Sequence, residues 1–442
     1  RKQSLEKITG EQLITGVDIE QLCNSIGQSV TFSACVHKVR QMSGFAFILL
    51  RTGRYVIQSV YLPEQCGDSI ADIKEGCYVT VTGAARQDQR SAYGIELVLT
   101  SIGLLSRPYG EYPVKVSQKR LGCSLDTNLQ YRSVSLRNPY ERAVFKLTEG
   151  VVSGFRAFML QQGFTEIHSP KIVAAGAEGG ANIFKLKYFD REAFLTQSPQ
   201  FYKQTCVAFF DRVFEIGPVF RAERHNTSRH LNEYTGLDFE MGFIQSMYDV
   251  MQMETAMLRF TLDYLRQHYS HELELTGTQL PTVGEIPSFT FAEAIELLRG
   301  KGGKNKFDLD PEDEVKLCQY AKEHYGSEFV FITHFPSAKR PFYTMDDPQN
   351  NKQALSFDLL FRGLEITTGG QRIHDYDQQV AKMEQMGLDP ADFESFLEIH
   401  KYGMPPHGGL GIGLERLVMK LLNLKNIRQA SLFPRDLNHL EP

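Results

Sequence analysis

His407-Gly408-Gly409-Leu410-Gly411-Ile412-Gly413-Leu414-Glu415-Arg416 runs into apolar residues at 417, 418, 421 and 422, and its two halves have different periods. Gly409, Gly411 and Gly413 recur every second residue. On a strand they would share one face and leave bare backbone where a flat ligand can approach. Leu417, Val418, Leu421 and Leu422 have helical spacing instead, which sets Arg416 in the first turn of a helix. Unsatisfied N–H groups and the dipole favour phosphate there. A glycine-rich strand packed against another element is the alternative reading of these residues.

Two segments upstream carry matching chemistry. Phe220-Arg221-Ala222-Glu223 leads through a polar loop (Arg224, His225, Asn226, Arg229, His230) into a returning strand from Glu233 to Met241. Leu237, Phe239 and Met241 share one face of that strand, and Tyr234, Gly236, Asp238 and Glu240 share the other. One face reads as core and the other as chemistry. In Ser356 to Arg372 a turn near Arg362-Gly363 would let Asp358 and Glu365 converge on Mg²⁺, since hard cations take oxygen ligands. An unpaired acid on each of two exposed strands is the alternative. The lysine-rich stretch Gly300 to Lys306 lacks the ending of a phosphate-binding P-loop and reads as a solvated loop.

Around these segments the chain reads as two domains. Its 442 residues exceed one compact core, and no run approaches the roughly 20 apolar residues that a membrane span needs. The first residues show neither a secretory signal nor an acid-poor transit peptide. Seven scattered cysteines without a C-x-x-C pair read as reduced thiols of a cytoplasmic protein, and His268, His271 and Glu272 as one exposed helix turn, so no transition metal is expected. Net charge is −5, yet residues 27–136 hold 12 Lys/Arg against 8 Asp/Glu, a net of +4 that leaves −9 for the rest. A mildly basic module on an acidic body can touch a polyanion locally.

In that module short β segments run from Ser29 to Val39, Phe45 to Arg51, Tyr55 to Leu62, Tyr78 to Ala84 and Ile95 to Ser101, with a short helix expected over Asp68 to Lys74. The string suits a five-stranded OB-type β-barrel, and an SH3-like barrel equally. The expected division is an N-terminal segment (1–26), the barrel (27–106), a hinge (107–136) and a second domain (137–442). A long amphipathic helix ending near Gly163 opens the second domain. Strands then mix with helices at Met247 to Tyr269, Phe291 to Arg299, Pro311 to Tyr325 and Asp375 to Met386. No βαβ alternation appears, so the class is α+β, built on an antiparallel sheet flanked by helices.

Phe220-Arg221-x-Glu223 with its returning strand, and Gly411-x-Gly413-x-Glu415-Arg416, resemble motifs 2 and 3 of the class II aminoacyl-tRNA synthetases. Gly163 to Pro170 resembles the end of motif 1, whose proline lies at that family's dimer interface. The barrel-first order resembles the aspartyl, asparaginyl and lysyl subgroup. Gln197-Ser198-Pro199-Gln200-Phe201-Tyr202-Lys203-Gln204, Gly370-Gln371-Arg372-Ile373-His374-Asp375 and Phe433-Pro434-Arg435-Asp436 look aspartyl, of the archaeal and eukaryotic type without the large bacterial insertion.

The resemblance implies ATP-dependent ligation of L-aspartate to tRNA(Asp) through an aspartyl-adenylate, by a homodimer that spans no membrane. Arg221 would hold the α-phosphate and the substrate carboxylate, Arg416 the γ-phosphate, and Tyr234 would stack under adenine beside Glu223. Arg229, His230, Leu231, Gly413, Leu414 and Glu415 complete the implied ATP site, and Asp358 and Glu365 would bind Mg²⁺. Arg221, Glu365 and Arg416 are the implied catalytic residues. For the amino acid, Lys203 and Arg372 would grip the side-chain carboxylate with Gln200 beside them. Asp238 would seat the ammonium, Glu178 belongs to a closing loop, and Thr368 adds a hydroxyl. In the barrel Arg40, Phe47 and Gln58 match anticodon-binding positions. The chain departs from the usual pattern at Ala177 and Thr368, where serine is common, and at Arg224-His225, which add charge to the motif 2 loop. An asparaginyl enzyme, against which Lys203 argues, and a non-catalytic RNA-binding relative are the competing readings.

Overall fold

The N-terminal strands are β1 (Ser29–Gln41), β2 (Ala46–Thr52), β3 (Tyr55–Tyr61), β4 (Tyr78–Gln87) and β5 (Ile95–Ser106); buried positions alternate along β2 and β4 and come in consecutive runs in β1, β3 and β5. The computed structural model describes residues 19–174, 182–224, 227–299 and 308–441, and these form two units that divide between Arg142 and Ala143. In the first unit the strands close in the order β1-β2-β3-β5-β4, with β3 and β5 parallel and β4 returning to β1. That pairing is the OB barrel, since an SH3-like meander has no parallel β3–β5 pair. Phe32, Val36, Ile48, Leu50, Ile57, Val81 and Leu97 fill the barrel.

Helix α1 (Ile19–Cys23) puts Leu22 into that core, so residues before the barrel are packed onto it. The helix expected over Asp68 to Lys74 is a series of turns instead. The Asp68 carboxylate there accepts from the Ser101 hydroxyl at 2.7 Å and the Ile102 N–H at 2.9 Å, which pins the segment in a non-helical path. The later part of the expected hinge is helical, as α2 (Leu125–Gln130) and α3 (Arg132–Ser135). Ser124 caps α2, and the buried Arg132 guanidinium donates to Asn128 at 2.8 Å.

The second unit carries α4 (Pro139–Gln161) across its start, then β6 (Thr165–Glu166), β7 (Ile172–Val173), β8 (Lys185–Tyr188), β9 (Arg191–Leu195), α5 (Gln200–Phe210), β10 (Arg212–Phe220) and β11 (Glu233–Gly242). There follow α6 (Met247–His268), α7 (Ser270–Thr276), β12 (Ser288–Thr290), α8 (Phe291–Arg299), α9 (Pro311–Tyr325), β13 (Phe329–Thr333), β14 (Asp346–Asp347) and β15 (Asn350–Ala354). The chain closes with β16 (Ser356–Phe361), β17 (Leu364–Gln371), α10 (Tyr376–Gln385), α11 (Glu394–Lys401), β18 (His407–Gly413) and α12 (Leu414–Leu421).

Eight strands make one sheet in the order β12-β13-β16-β17-β18-β11-β10-β6. Its inner pairs are antiparallel, and a parallel pair finishes each edge. Leu237, Phe239 and Met241 are buried, with Phe239 edge-on to Phe164 and Phe214 edge-on to Phe155 of α4. Helix α6 packs on β17 and β18, which leaves the opposite face to polar residues.

Candidate active site

Register alone assembles a polar row across that face. Asp358 of β16 pairs with Thr368 of β17, Thr368 with Gly411 of β18, Gly411 with Asp238 of β11, and Asp238 with Glu215 of β10. Directly paired residues point to the same side of a sheet, so four strands contribute one line of side chains across the gap that Gly411 of β18 leaves. The next row holds Glu240 opposite Gly409.

The glycines also leave room for those carboxylates. A Cβ on Gly409 would lie 2.2 Å from a Glu240 carboxylate oxygen, and one on Gly411 would lie 2.9 Å from an Asp238 oxygen. At Gly413 the nearest atom would be 3.6 Å away, on Arg416, and here the backbone is open. Gly411 and Gly413 line a cleft of about 310 Å³, with Arg221, Tyr234, Lys203 and Arg372 among the other walls.

At one end of the cleft two cations are held by two acids. Lys203 of α5 is buried, and its Nζ donates to Asp238 at 3.0 Å and to the Leu410 carbonyl at 2.9 Å, with Glu240 at 3.4 Å. Arg372 donates to Glu240 at 2.8 Å, to Gln200 at 3.3 Å and to the Gly409 carbonyl at 3.0 Å. Burial pushes the Asp238 carboxyl above its usual range despite Lys203. Burial acts on Glu240 too, but Arg372 and Lys203 outweigh it and hold that carboxyl below its usual range. Behind them Gln204 bonds the buried His407 at 2.9 Å, and burial drives this imidazole down to about 4.

The other end is lined by Arg221, Glu223, Arg229, His230, Leu231, Glu415 and Arg416. Arg221 follows β10, where its N–H donates to the Asn232 carbonyl at 2.8 Å. His230 stands 3.6 Å from Glu223. Arg416, in the first turn of α12, donates to the Glu365 carbonyl at 3.0 Å and lies 3.8 Å from its carboxylate. Arg229 is turned onto α9, donating to Glu314 at 2.6 Å and to the Gly363 carbonyl at 2.9 Å. Glu415 accepts the Thr235 N–H at 3.0 Å, and burial raises it to about 7. Leu414 opens α12 as a buried apolar residue and does not line the cleft.

Asp358 and Glu365 do converge. Thr368 donates to Glu365 at 2.9 Å and faces Asp358 across the β16–β17 pair. Burial lifts Asp358 to about 6, with Arg340 opposing and the Glu365 charge adding to the rise. Two mutually repelling carboxylates beside a hydroxyl are a donor set that suits a hard divalent cation. Both Asp358 oxygens are already engaged, by the Arg340 guanidinium at 2.9 and 2.8 Å. Among the described residues no cluster of three or more His, Cys, Asp or Glu side chains could hold a metal ion.

In the barrel Arg40 pairs with Phe47 and Leu49 pairs with Gln58, so Arg40, Phe47 and Gln58 share one outer face. Phe47 is half-buried there, edge-on to Phe45, and outside the core. Gln58 donates its amide to the buried Glu96 at 2.9 Å. Glu178, Ala177 and His225 lie outside the described residues. Sequence reasoning missed Arg340 and Glu314, which belong to no spacing pattern and enter through tertiary packing. It placed Glu240 on the polar face without a role, and the strand's period of two was the signal for it.

A Gly-rich strand running into a helix with Arg416, a second arginine at the start of the loop between β10 and β11, and an antiparallel sheet beneath define a class II aminoacyl-tRNA synthetase. The chain belongs to the class II tRNA synthetases of the D, K and N type, whose family model matches residues 124–437. It is 42% identical over 426 residues to the aspartate–tRNA(Asp/Asn) ligase of Thermus thermophilus, across 96% of this chain and 99% of that one. It is 38% identical to the aspartate–tRNA(Asp) ligase of Pyrococcus abyssi, across 94% of this chain and 97% of that one. The crystal structure of asparaginyl-tRNA synthetase from Pyrococcus horikoshii with asparaginyl-adenylate superposes with a TM-score of 0.89 at 29% identity, covering 97% of this chain and 100% of that chain.

Proposed function

We propose that this enzyme ligates L-aspartate to tRNA(Asp) at the expense of ATP. The observation that carries the reading is the charge arrangement around Lys203 and Arg372. These two cations face Asp238 and Glu240, and the four charges sum to zero. When Asp238 turns to the ammonium of an incoming amino acid, Lys203 and Arg372 are left with Glu240 alone. One positive charge then remains for the side chain, and aspartate supplies its complement. Asparagine would leave that charge unpaired in a buried site, a penalty of roughly 2–5 kcal/mol. Glutamate brings the charge on a longer side chain, and one methylene is typically worth about 1–3 kcal/mol.

In the first step the α-carboxylate of aspartate attacks the α-phosphorus of ATP in line, and pyrophosphate leaves. No protein nucleophile is needed, so positioning and charge neutralisation carry the catalysis. Arg221 neutralises the α-phosphate and the reacting carboxylate, Arg416 the γ-phosphate, and Tyr234 supports adenine with Glu223 near its amino group. Arg229, His230, Leu231, Gly413 and Glu415 form the rest of that wall. Glu178 and Gln200 belong to the amino-acid side. Asp358 and Glu365 would hold Mg²⁺, which would supply positive charge against the phosphates; Thr368 keeps the Glu365 carboxylate turned toward Asp358. In the second step the terminal ribose hydroxyl of the tRNA attacks the adenylate and AMP leaves. Arg40, Phe47 and Gln58 take the anticodon, for which their common outer face is the support.

The functional unit in this reading is a homodimer joined near Pro170, and exposed Leu160 and Ile172 on either side of it are the apolar surface such a contact would cover. Light scattering at micromolar protein checks this. No helix among the described residues is long and apolar enough to cross a membrane, and the seven cysteines are free, in keeping with a cytoplasmic enzyme of translation. Aspartate-dependent exchange of pyrophosphate into ATP, with asparagine and lysine in parallel, tests the proposal. Exchange with aspartate alone is expected. Strong exchange with asparagine would transfer the reading to an asparaginyl enzyme, and none with any of the three would overturn it.

A further inference from the structure

We propose that Arg340 keeps the divalent-cation site incomplete until nucleotide arrives, so that the metal enters with ATP and is not stored by the free enzyme. The inference rests on the assignment of Asp358 and Glu365 to that cation. Arg340 follows a short turn, Ser337–Lys339, and precedes Pro341. The turn is tied down by Lys382, whose Nζ donates to Ser337 at 2.6 Å and to Asp346 at 2.7 Å. The guanidinium stacks 3.8 Å from the centroid of the buried Phe335 ring and closes a two-pronged contact on Asp358 at 2.9 and 2.8 Å. Both partners have side chains only 11% exposed. Such a fork is geometrically fixed, always charged, and costly to withdraw into water.

Arg340 therefore stays on Asp358 and neutralises it. The free enzyme offers a cation only Glu365, one of whose oxygens already accepts from Thr368, with the positive Arg416 3.8 Å away. Glu314, paired with Arg229, also lies against Glu365, so three carboxylates and three guanidiniums cancel, leaving no net attraction for a divalent ion. The triphosphate supplies the missing negative charge, and only then do the acids become useful as additional oxygen ligands.

Mn²⁺ titration of the full-length, nucleotide-free protein, with free Mn²⁺ followed by electron paramagnetic resonance, reads this directly. The wild type and R340K are expected to bind weakly, and R340Q at least about tenfold more tightly, because one full positive charge within a few ångströms of the site has been removed. Equal affinity for wild type and R340Q overturns the inference. Should R340Q fail to fold, the double variant R340Q/D358N decides. If Arg340 neutralises Asp358, removing both leaves the local charge unchanged and nucleotide-free Mn²⁺ affinity within about twofold of wild type, and a tenfold loss overturns the inference. E365Q with a non-hydrolysable ATP analogue separates this from the metal assignment. Mn²⁺ binding with the analogue that is indifferent to E365Q removes the assignment itself, whatever Arg340 does.

Discussion

Replacing Lys203 by methionine keeps most of the side-chain volume and removes the charge from a residue that is 1% exposed. Asp238 and Glu240 then face each other, both buried, with Arg372 bound only to the second. Breaking a buried ion pair from one side typically costs about 3–5 kcal/mol. An independent bound comes from protonation, because neutralising an ordinary aspartate at pH 7 costs about 4 kcal/mol, at 1.36 kcal/mol for each of roughly three pH units. The two figures agree, and the second makes the loss pH-dependent. Urea unfolding at pH 7.0 should show K203M destabilised by about 4 kcal/mol, shrinking by about 2 kcal/mol at pH 5.5. The double variant K203M/D238N should recover at least about 2 kcal/mol, since the unpaired charge is gone. In pyrophosphate exchange kcat/KM for aspartate should fall at least about a thousandfold while KM for ATP stays within about threefold, because Arg221 and Arg416 are untouched. A stability loss that ignores pH, or equal losses toward both substrates, would refute the charge-balance argument.

Three other expectations are independent of that one. G409A would set a Cβ 2.2 Å from the Phe239 carbonyl and should cost more than about 4 kcal/mol or abolish soluble expression, whereas G413A, with 3.6 Å of clearance, should stay within about 1 kcal/mol of wild type; equal urea midpoints would contradict the register described here. Glu254 of α6 accepts from Thr367 at 2.5 Å, and burial raises it to about 8. Its folded value lies above its unfolded one, so the stability it confers is complete below about pH 4.5 and is lost as pH rises through 8. E254Q should flatten the stability–pH curve between pH 6 and 8 by up to about 1.4 kcal/mol per unit, and an unchanged slope would show that the carboxyl is ionised in the fold. F47A should raise KM for tRNA about 5- to 150-fold, the equivalent of 1–3 kcal/mol of stacking, while tRNA-independent exchange is unaltered; a matching loss in exchange would point to misfolding instead.

Periodicity made much of this molecule readable. The alternation in Glu233 to Met241 and the glycines at 409, 411 and 413 are properties of single strands, and each predicted its own face correctly. What no single strand reveals is which residue stands opposite. That Gly411 serves Asp238 and Gly409 serves Glu240 follows from the pairing of β11 with β18, two segments about 170 residues apart. Arg340 and Glu314 were hidden for the same reason: Arg340 reaches the cleft, and Glu314 reaches Arg229 and the Glu365 N–H, from elements whose local pattern is ordinary. Asp68 to Lys74 failed differently, because a side chain committed to a distant strand overrode a weak helical preference. In the barrel, periodicity left OB and SH3-like folds equal, and the parallel β3–β5 pair separates them.

The row running from Asp358 through Thr368, Gly411 and Asp238 to Glu215 has a further consequence, for insertion and deletion. A strand that slips by one residue exchanges its two faces. Were β18 to lose or gain a residue, Leu410 and Ile412 would swing into the trough and the glycines into the hydrophobic layer. Polar groups from the four neighbouring strands would then be parted by a wall of aliphatic carbon. Chain length between Pro406 and Arg416 is therefore as strictly required as residue identity, and a one-residue deletion there should be more damaging than any single substitution in the cleft.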